Sequence, residues 1–396
     1  MAHHVIIGNG IAGSTAAETL RANDKDCEIT LIGEEKYPLY SRLNLENYVG
    51  GDCDKEHMIL KSKDWYRKMK IDLRLGTKIV GLNPRLNYVK LDDDSRVRYD
   101  KLLIATGGTP HKLTIKGSEL KGVHSLQTLD DATAIIESLE KTGKAVIIGG
   151  GFVGADCSVA LKKRGVDTTI LIREKMYWHN FLDEVASKII HNLMEKNGVR
   201  LLFDEEAVEF IGDKGRISHV YTTKGRYIEA GMVCMGIGLR RNVDFLRDTD
   251  VKVRTGILVN KYLQTTNYPD IFAAGDVAEF YDVFVDQWMT HGNWVNAQKQ
   301  GETAARNMLG QKDVFDDVSQ YTTDIFGTKL MTIGDVEIST NDVIVEVNEE
   351  ACEYSKIFLK DDRVVGAILI GDISPIARIK KMILDREEVS ERGKIL

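Results

Sequence analysis

The stretch Ala145–Asp156, "AVIIGGGFVGAD", decides the reading of this chain, because Val5–Gly13 spells nearly the same thing, "VIIGNGIAG". Each copy opens with a short β-branched run, the mark of a strand buried on both faces of a parallel sheet. Glycines follow, and then apolar residues at helical spacing. Val5–Gly8 reads as a strand, Ile11–Arg21 as a helix and Glu28–Ile32 as a second strand. The same order returns over Lys144–Gly149, Phe152–Arg164 and Thr168–Ile172. One polypeptide therefore holds two strand–helix–strand units, each with glycines at its first crossover.

Around these units the chain divides. At 396 residues it exceeds one ordinary core, and two or three domains are expected. Leu86–Leu91 and Val97–Ile104 flank the polar turn "DDDSR" and read as a hairpin. The three aspartates lack the glycine and distal glutamate of a calcium loop and read as a solvated turn. Ile217–Tyr221, Tyr227–Glu229 and Met232–Met235 form a second β-rich region. From about Gln311 the stretches "KLMTIGDVE", "VIVEVN", "YSKIFLK" and "RVVGAILIG" read as strands. "SPIARIKKMILD" reads as a closing helix capped by Ser374, with Pro375 in its first turn.

Composition narrows the function. Apolar residues make up 43% and charged residues 29%, as in a globular protein, and the net charge of -7 offers no basic stripe for nucleic acid. The five cysteines are scattered without a paired spacing, which argues against a disulfide framework or a metal site and for the cytoplasm. No apolar run approaches the ~18 residues of a membrane helix.

Gly8, Gly10 and Gly13 satisfy G-x-G-x-x-G, as do Gly149, Gly151 and Gly154. In that pattern the first glycine makes a tight turn, the second admits a pyrophosphate to the backbone, and the third packs helix on strand. The phosphates then meet the amide groups of a helix N-terminus. The first unit adds Glu34, 21 residues after Gly13, either a ribose ligand or merely a polar strand end. In the second unit Arg173 stands where the acid belongs and Glu174 follows it. An arginine there suits the 2′-phosphate of NADPH, whereas Glu174 suits the ribose of NADH; both readings stay open. Two dinucleotides in one chain point to hydride transfer between a nicotinamide and a flavin.

Further motifs make the chain resemble the FAD-dependent pyridine nucleotide oxidoreductases, in the branch of NADH:rubredoxin reductases and nitrite-reductase flavin domains. The resemblance spans about Met1–Gly310. "LLIATGGTP" (Leu102–Pro110) resembles the segment that leaves the flavin domain, and "MGIGLRRN" (Met235–Asn242) the strand that returns, with Arg241 where proline is usual. "YPDIFAAGDVAEF" (Tyr268–Phe280) resembles the second flavin signature, and "WVNAQKQGETAARNMLG" (Trp294–Gly310) the helix facing the flavin.

The resemblance implies an α/β fold of two Rossmann-like domains, each a parallel sheet with an antiparallel β insert, and a small C-terminal α+β domain. It places FAD on 1–110 and 238–310, NAD(P) on 111–237 and an interface domain on 311–396. For FAD it implies Gly8, Gly10, Gly13, Glu34, Arg42, Ile79, Ala105, Thr106, Gly107, Gly275, Asp276 and Trp294. For NADH, with NADPH as the alternative, it implies Gly149, Gly151, Gly154, Arg173, Glu174 and Gly236. Arg42 and Asp156 are the candidate catalytic residues, although Asp156 also suits a helix first turn as such, and no metal is implied.

"YPLYSRLNLENYVGG" (Tyr37–Gly51) resembles the segment beside the flavin, where disulfide reductases carry a reactive cysteine. Here Ser41, Arg42 and Leu43 occupy it, Cys53 lies beyond, and Asn47 replaces a lysine of several relatives. Thiol chemistry at the flavin is therefore not expected. The implied acceptor is a rubredoxin- or ferredoxin-type protein or a nitrite-reducing partner. Direct reduction of oxygen and a non-catalytic nucleotide-sensing subunit are the alternatives. Trp288, His291 and Trp294 either line an electron exit or pack a helix start. Neither nucleic acid nor membrane is an expected partner, and the oligomeric state stays open.

Overall fold

The computed structural model describes residues 1–337, 342–348 and 350–389. Its backbone forms two compact units. The first comprises Met1–Ser41, Ile59–Thr109 and Arg240–Ser319; the second comprises Arg42–Met58, Pro110–Leu239 and the chain from Gln320 onward.

In the first unit the β-branched run His3–Ile7 is the middle strand of a five-stranded parallel sheet, in the order Ile271–Ala273, Lys101–Ile104, His3–Ile7, Glu28–Gly33, Asp72–Leu75. Val5, Ile6, Leu31, Leu102 and Leu103 are wholly buried, which is why these strands lack polar alternation. The helix Ile11–Asn23 packs against the helix Trp294–Met308. A three-stranded antiparallel sheet, Ile79–Asn83, Tyr88–Leu91 and Arg96–Arg98, is inserted.

The second unit repeats this plan. Lys144–Ile148 is the middle strand of a parallel sheet ordered Val199–Phe203, Asp167–Ile172, Lys144–Ile148, Met232–Met235, Val123–Ser125. Its insert is the antiparallel set Ala207–Asp213, Arg216–Thr222 and Tyr227–Glu229. Both sheets run third, second and first strand of the unit from one edge, the doubly wound order. The unit closes with an antiparallel sheet ordered Gln320–Ile325, Thr328–Gly334, Arg363–Ile370, Glu353–Lys360, Val343–Asn348, on which the helix Ile376–Asp385 packs.

Two local expectations change, and one strand was not expected at all. Val97–Ile104 is not one hairpin arm: Arg96–Arg98 pairs antiparallel with Tyr88–Leu91, whereas Lys101–Ile104 joins the parallel sheet. The break falls where Asp100 donates its amide to the His3 carbonyl and its carboxylate accepts from the His3 amide. Ser374 does not cap the last helix. Its hydroxyl bonds Asp372 instead, and Pro375 holds the cap position without a side-chain bond. The strand Gln320–Ile325 is an edge strand of a half-exposed sheet, too polar to signal itself in the sequence.

Candidate functional site

In the first unit the glycine turn is built for close approach. Gly8 sits at φ +105°, and a β-carbon there would lie 2.1 Å from the Ala105 carbonyl oxygen. At Gly13 it would lie 1.9 Å from the Gly8 carbonyl oxygen. These contacts press the start of the helix Ile11–Asn23 onto the sheet. Gly10 differs: a β-carbon would meet nothing within 4 Å. Gly10 is also the N-cap, so no side chain accepts the first amides of the helix. The helices at Lys63, Leu129, Glu184 and Trp294, by contrast, are capped by Ser62, Thr128, Asp183 and Asn293. An open space before uncapped amides is the form of a phosphate site.

The second unit reproduces it. Gly149 (φ +101°) would bring a β-carbon to 2.5 Å from the Gly236 carbonyl oxygen, and Gly154 to 2.1 Å from that of Gly149. Gly151, again an uncapped N-cap, would meet only the Gly236 oxygen, at 3.7 Å. Gly236 donates its amide to Ile148 at 2.8 Å, which fixes it beside the turn.

The remaining first-unit candidates lie around the sheet's carboxyl ends. Glu34 follows the strand Glu28–Gly33 and pairs with Lys78 at 3.0 Å, with both side chains exposed. Ala105–Gly107 follow Lys101–Ile104, and Thr106 exchanges hydrogen bonds with Asn242: Oγ1 donates to its carbonyl at 2.8 Å, and its amide donates to the Thr106 carbonyl at 3.0 Å. Gly275 and Asp276 form the short turn after Ile271–Ala273, and Ile79 opens the antiparallel insert. Trp294 is the first residue of its helix.

That helix also carries groups the sequence reading missed. Gln300 is fully buried; its Oε1 accepts the Gly275 amide at 2.7 Å, and its Nε2 has no partner among the described residues. Asn296, one turn earlier and 2% exposed, has both amide atoms unpartnered among them. Such orphans call for an occupant, and a polar dinucleotide beside Gly275 fits them. The signal was two amides four residues apart on a face otherwise made of Ala297, Gly301 and Ala304.

Trp288 and His291 lie apart in role. His291 is buried and bonds Asp282 through Nε2 at 2.8 Å, whereas Trp288 is exposed, packed on Tyr281 with the Arg254 guanidinium over its ring.

In the second unit Arg173 and Glu174 end their strand as an ion pair of 3.0 Å, Arg173 the more exposed. Arg42 donates Nη1 to the Gln127 carbonyl at 2.6 Å. Asp156, in the helix Phe152–Lys163, accepts from the Thr323 hydroxyl at 2.7 Å and hydrogen-bonds the carboxyl of Glu46. Burial pushes the Asp156 carboxyl above its ordinary range. Burial and the Asp156 charge push Glu46 up to about 8. Neither Glu46 nor Thr323 announced itself in the sequence, since only folding brings them to Asp156. All five cysteines are free; Cys157 and Cys234 lie with their sulfurs 3.4 Å apart, both buried between helix and sheet.

Comparison with known proteins gives the chain's relatives. The profile described as Pyridine nucleotide-disulphide oxidoreductase matches residues 2–301, and that described as Rubredoxin NAD+ reductase C-terminal domain matches residues 322–387. The chain is 30% identical over 395 residues to "Nitrite reductase [NAD(P)H]" of Bacillus subtilis (strain 168), covering 99% of this chain and 48% of that one. It is 29% identical to "NADH-rubredoxin oxidoreductase" of Clostridium acetobutylicum, covering 96% and 93%. Among solved structures, the covalent putidaredoxin reductase–putidaredoxin complex contains a chain that matches with a TM-score of 0.94 at 26% identity, covering 100% and 95%. The chain thus spans about half the length of the Bacillus subtilis relatives it matches.

Proposed function

The chain belongs to the pyridine nucleotide-disulphide oxidoreductases, and from that premise we propose that it is an FAD-dependent NAD(P)H oxidoreductase. It passes electrons from the nicotinamide through the flavin to a small external redox protein of the rubredoxin or ferredoxin kind. The observation that carries this reading is the doubled cradle: two uncapped helix N-termini, each behind a glycine turn too tight for any side chain.

In this reading Gly8, Gly10 and Gly13 seat the FAD pyrophosphate and Glu34 its ribose. Thr106, Gly275 and Asp276 line the flavin end, and the orphaned amides of Asn296 and Gln300 turn toward it. Gly149, Gly151 and Gly154 seat the nicotinamide dinucleotide, with Gly236 beside them and Arg173 or Glu174 at its ribose. Bound FAD supplies the chemistry of taking a hydride and releasing electrons. The protein's own part is orientation, together with the positive potential of the Arg42 guanidinium and of the helix that starts at Trp294. With no cysteine in Tyr37–Gly51, electrons leave without a thiol relay. The free cysteines, and the lack among the described residues of a helix long and apolar enough to cross a membrane, support a cytoplasmic address.

The test is an anaerobic titration of the FAD-loaded protein with NADH and, separately, NADPH, read by the flavin's visible absorption. Prompt bleaching by one of them, reversed by oxidised rubredoxin or ferredoxin, is the expected result. A flavin that neither nucleotide bleaches sinks the hydride-transfer reading. Bleaching reversed by oxygen as fast as by either protein sinks the protein-acceptor reading. Arg173→Glu is expected to lower use of NADPH and spare NADH; unchanged NADPH use removes Arg173 from the 2′-phosphate site.

A further inference from the structure

The segment Arg42–Met58 lies, in sequence, between two pieces of the first unit, yet it folds with the second. Its helix Leu45–Gly50 packs on the helices Phe152–Lys163 and Leu129–Leu139. Several bonds hold this strap. Arg42 reaches the Gln127 carbonyl, Arg164 donates Nε to the Val49 carbonyl at 2.7 Å, and Lys163 pairs with Asp52 at 2.5 Å on the surface. One part-buried bond is different in kind: it joins two carboxyl groups, Glu46 and Asp156.

Two carboxyl groups in hydrogen-bond contact cannot both be ionised, since the bond needs a proton and two anions would repel in a poorly solvated place. The Thr323 hydroxyl decides which one keeps it. Thr323 donates to Asp156 Oδ1, so Asp156 is the anion and Glu46 the acid that donates to it. We propose that Glu46 and Asp156 form a one-proton clasp, which fastens the strap carrying Arg42 onto the second unit and loosens it as the proton is lost.

Among the described residues, the pair's neighbours offer no cation that is not already engaged. Of the groups facing the pair, Lys163 is engaged by Asp52, and Asp324 on the strand of Thr323 adds negative charge. The Cys157 thiol, in contact with the Cys234 sulfur, and the buried Tyr177 phenol stay protonated, that contact and burial holding the first up and burial the second. On the helix Leu129–Leu139 Asp131 is spent on the backbone amides of Gln127 and Thr128, next to Asp130 in the same turn.

The sign of the pH dependence follows. In the opened strap Glu46 returns to its ordinary value of 4.5, whereas in the closed strap it is held up to about 8. The closed state therefore binds the extra proton between those values. Its advantage is complete below the lower value and declines tenfold per pH unit until it is gone near the upper one.

The experiment is hydrogen exchange of the FAD-loaded protein, read by mass spectrometry on peptides covering residues 45–52 and corrected for the intrinsic pH dependence of exchange. The wild type is expected to show an opening constant that rises about tenfold per pH unit from roughly pH 5.5 to 7.5 and levels off above about 8. Glu46→Gln keeps a donor of nearly the same shape but has no proton to lose, so its opening constant is expected to be flat. An infrared band of a protonated carboxyl at neutral pH, lost in Glu46→Gln, is the direct signature. A flat wild-type profile, the same slope in Glu46→Gln, or a band that survives the substitution overturns the clasp. If Glu46→Gln does not fold, Thr323→Val reports instead. Losing the hydroxyl that supports the Asp156 anion moves the plateau to higher pH, and an unmoved plateau overturns the assignment. None of these readings requires turnover, so the clasp stands or falls apart from the proposed reaction.

Discussion

Gly10 and Gly151 are positions where a methyl group meets no protein atom closer than 3.7 Å, on backbone that any residue adopts (φ -68° and -76°). Their absence of a side chain is not needed by the fold, which leaves a ligand as the reason for it. Gly10→Ala is therefore expected to keep the wild-type urea midpoint and to weaken FAD binding by at least about tenfold. Gly151→Ala is expected to do the same to NADH binding. Gly8→Ala and Gly149→Ala are the controls, since a β-carbon 2.1–2.5 Å from a carbonyl oxygen must move the backbone. They lose stability as well as binding. Equal midpoints with unchanged binding in Gly10→Ala would remove the phosphate role, and isothermal titration with denaturation curves measures both quantities. At this scale much was legible: both glycine triplets, Glu34 and the Arg173–Glu174 pair stand at the strand ends where spacing put them. Asn296, Gln300, Glu46 and Thr323 were not, because a polar residue's meaning depends on whether it is buried and against what.

At the scale of elements, Asp183 ties a helix to a strand. Its Oδ1 caps the helix Glu184–Lys196 through the Ala186 amide at 3.1 Å. Its Oδ2 accepts from the Tyr354 hydroxyl at 2.5 Å and the Lys356 ammonium at 3.2 Å, both on the strand Glu353–Lys360. Burial works against the Asp183 charge, but the Tyr354 and Ala186 bonds and then Lys356 outweigh it and hold the carboxyl below its ordinary 3.8. A depressed folded value contributes stability that is present above the unfolded value and lost as pH falls through the folded one. The wild type is thus expected to lose urea stability as pH drops below about 4. Asp183→Asn should start lower at neutral pH and lose less on acidification; parallel curves for the two proteins would contradict this. The elements most legible in sequence were the buried parallel strands, whose centres are apolar runs such as Val5–Ile7 and Val146–Ile148. The split of Val97–Ile104 between two sheets was not, because partner strands rather than propensity decided where the pairing changed.

For the whole molecule, two cradles on two separate sheets imply two independent sites. Thermal unfolding with FAD alone and with NADH alone is expected to raise the transition separately, by the mass-action term each ligand contributes. In Gly10→Ala the FAD shift should shrink while the NADH shift persists, and in Gly151→Ala the reverse. One substitution that abolishes both shifts would mean the halves do not bind separately. The repetition of the plan, down to a three-stranded antiparallel insert in each unit, makes this the natural outcome.

What the sequence determined by itself was the doubled α/β plan, the two glycine turns and the absence of a cysteine from Tyr37–Gly51. These are local: a β-branched run, a glycine that must exceed the limits of L-residues, and a helix start all express themselves within a dozen residues. Only the tertiary structure decided that Arg42–Met58 folds with the second unit, that Glu46 meets Asp156 and Thr323 there, and that Asn296 and Gln300 are buried without full partners. These pairings join residues from 25 to 167 positions apart, as between Gly275 and Gln300 or Asp156 and Thr323. Over such separations the chain carries no periodic signal, and proximity is set by the packing of sheets and helices.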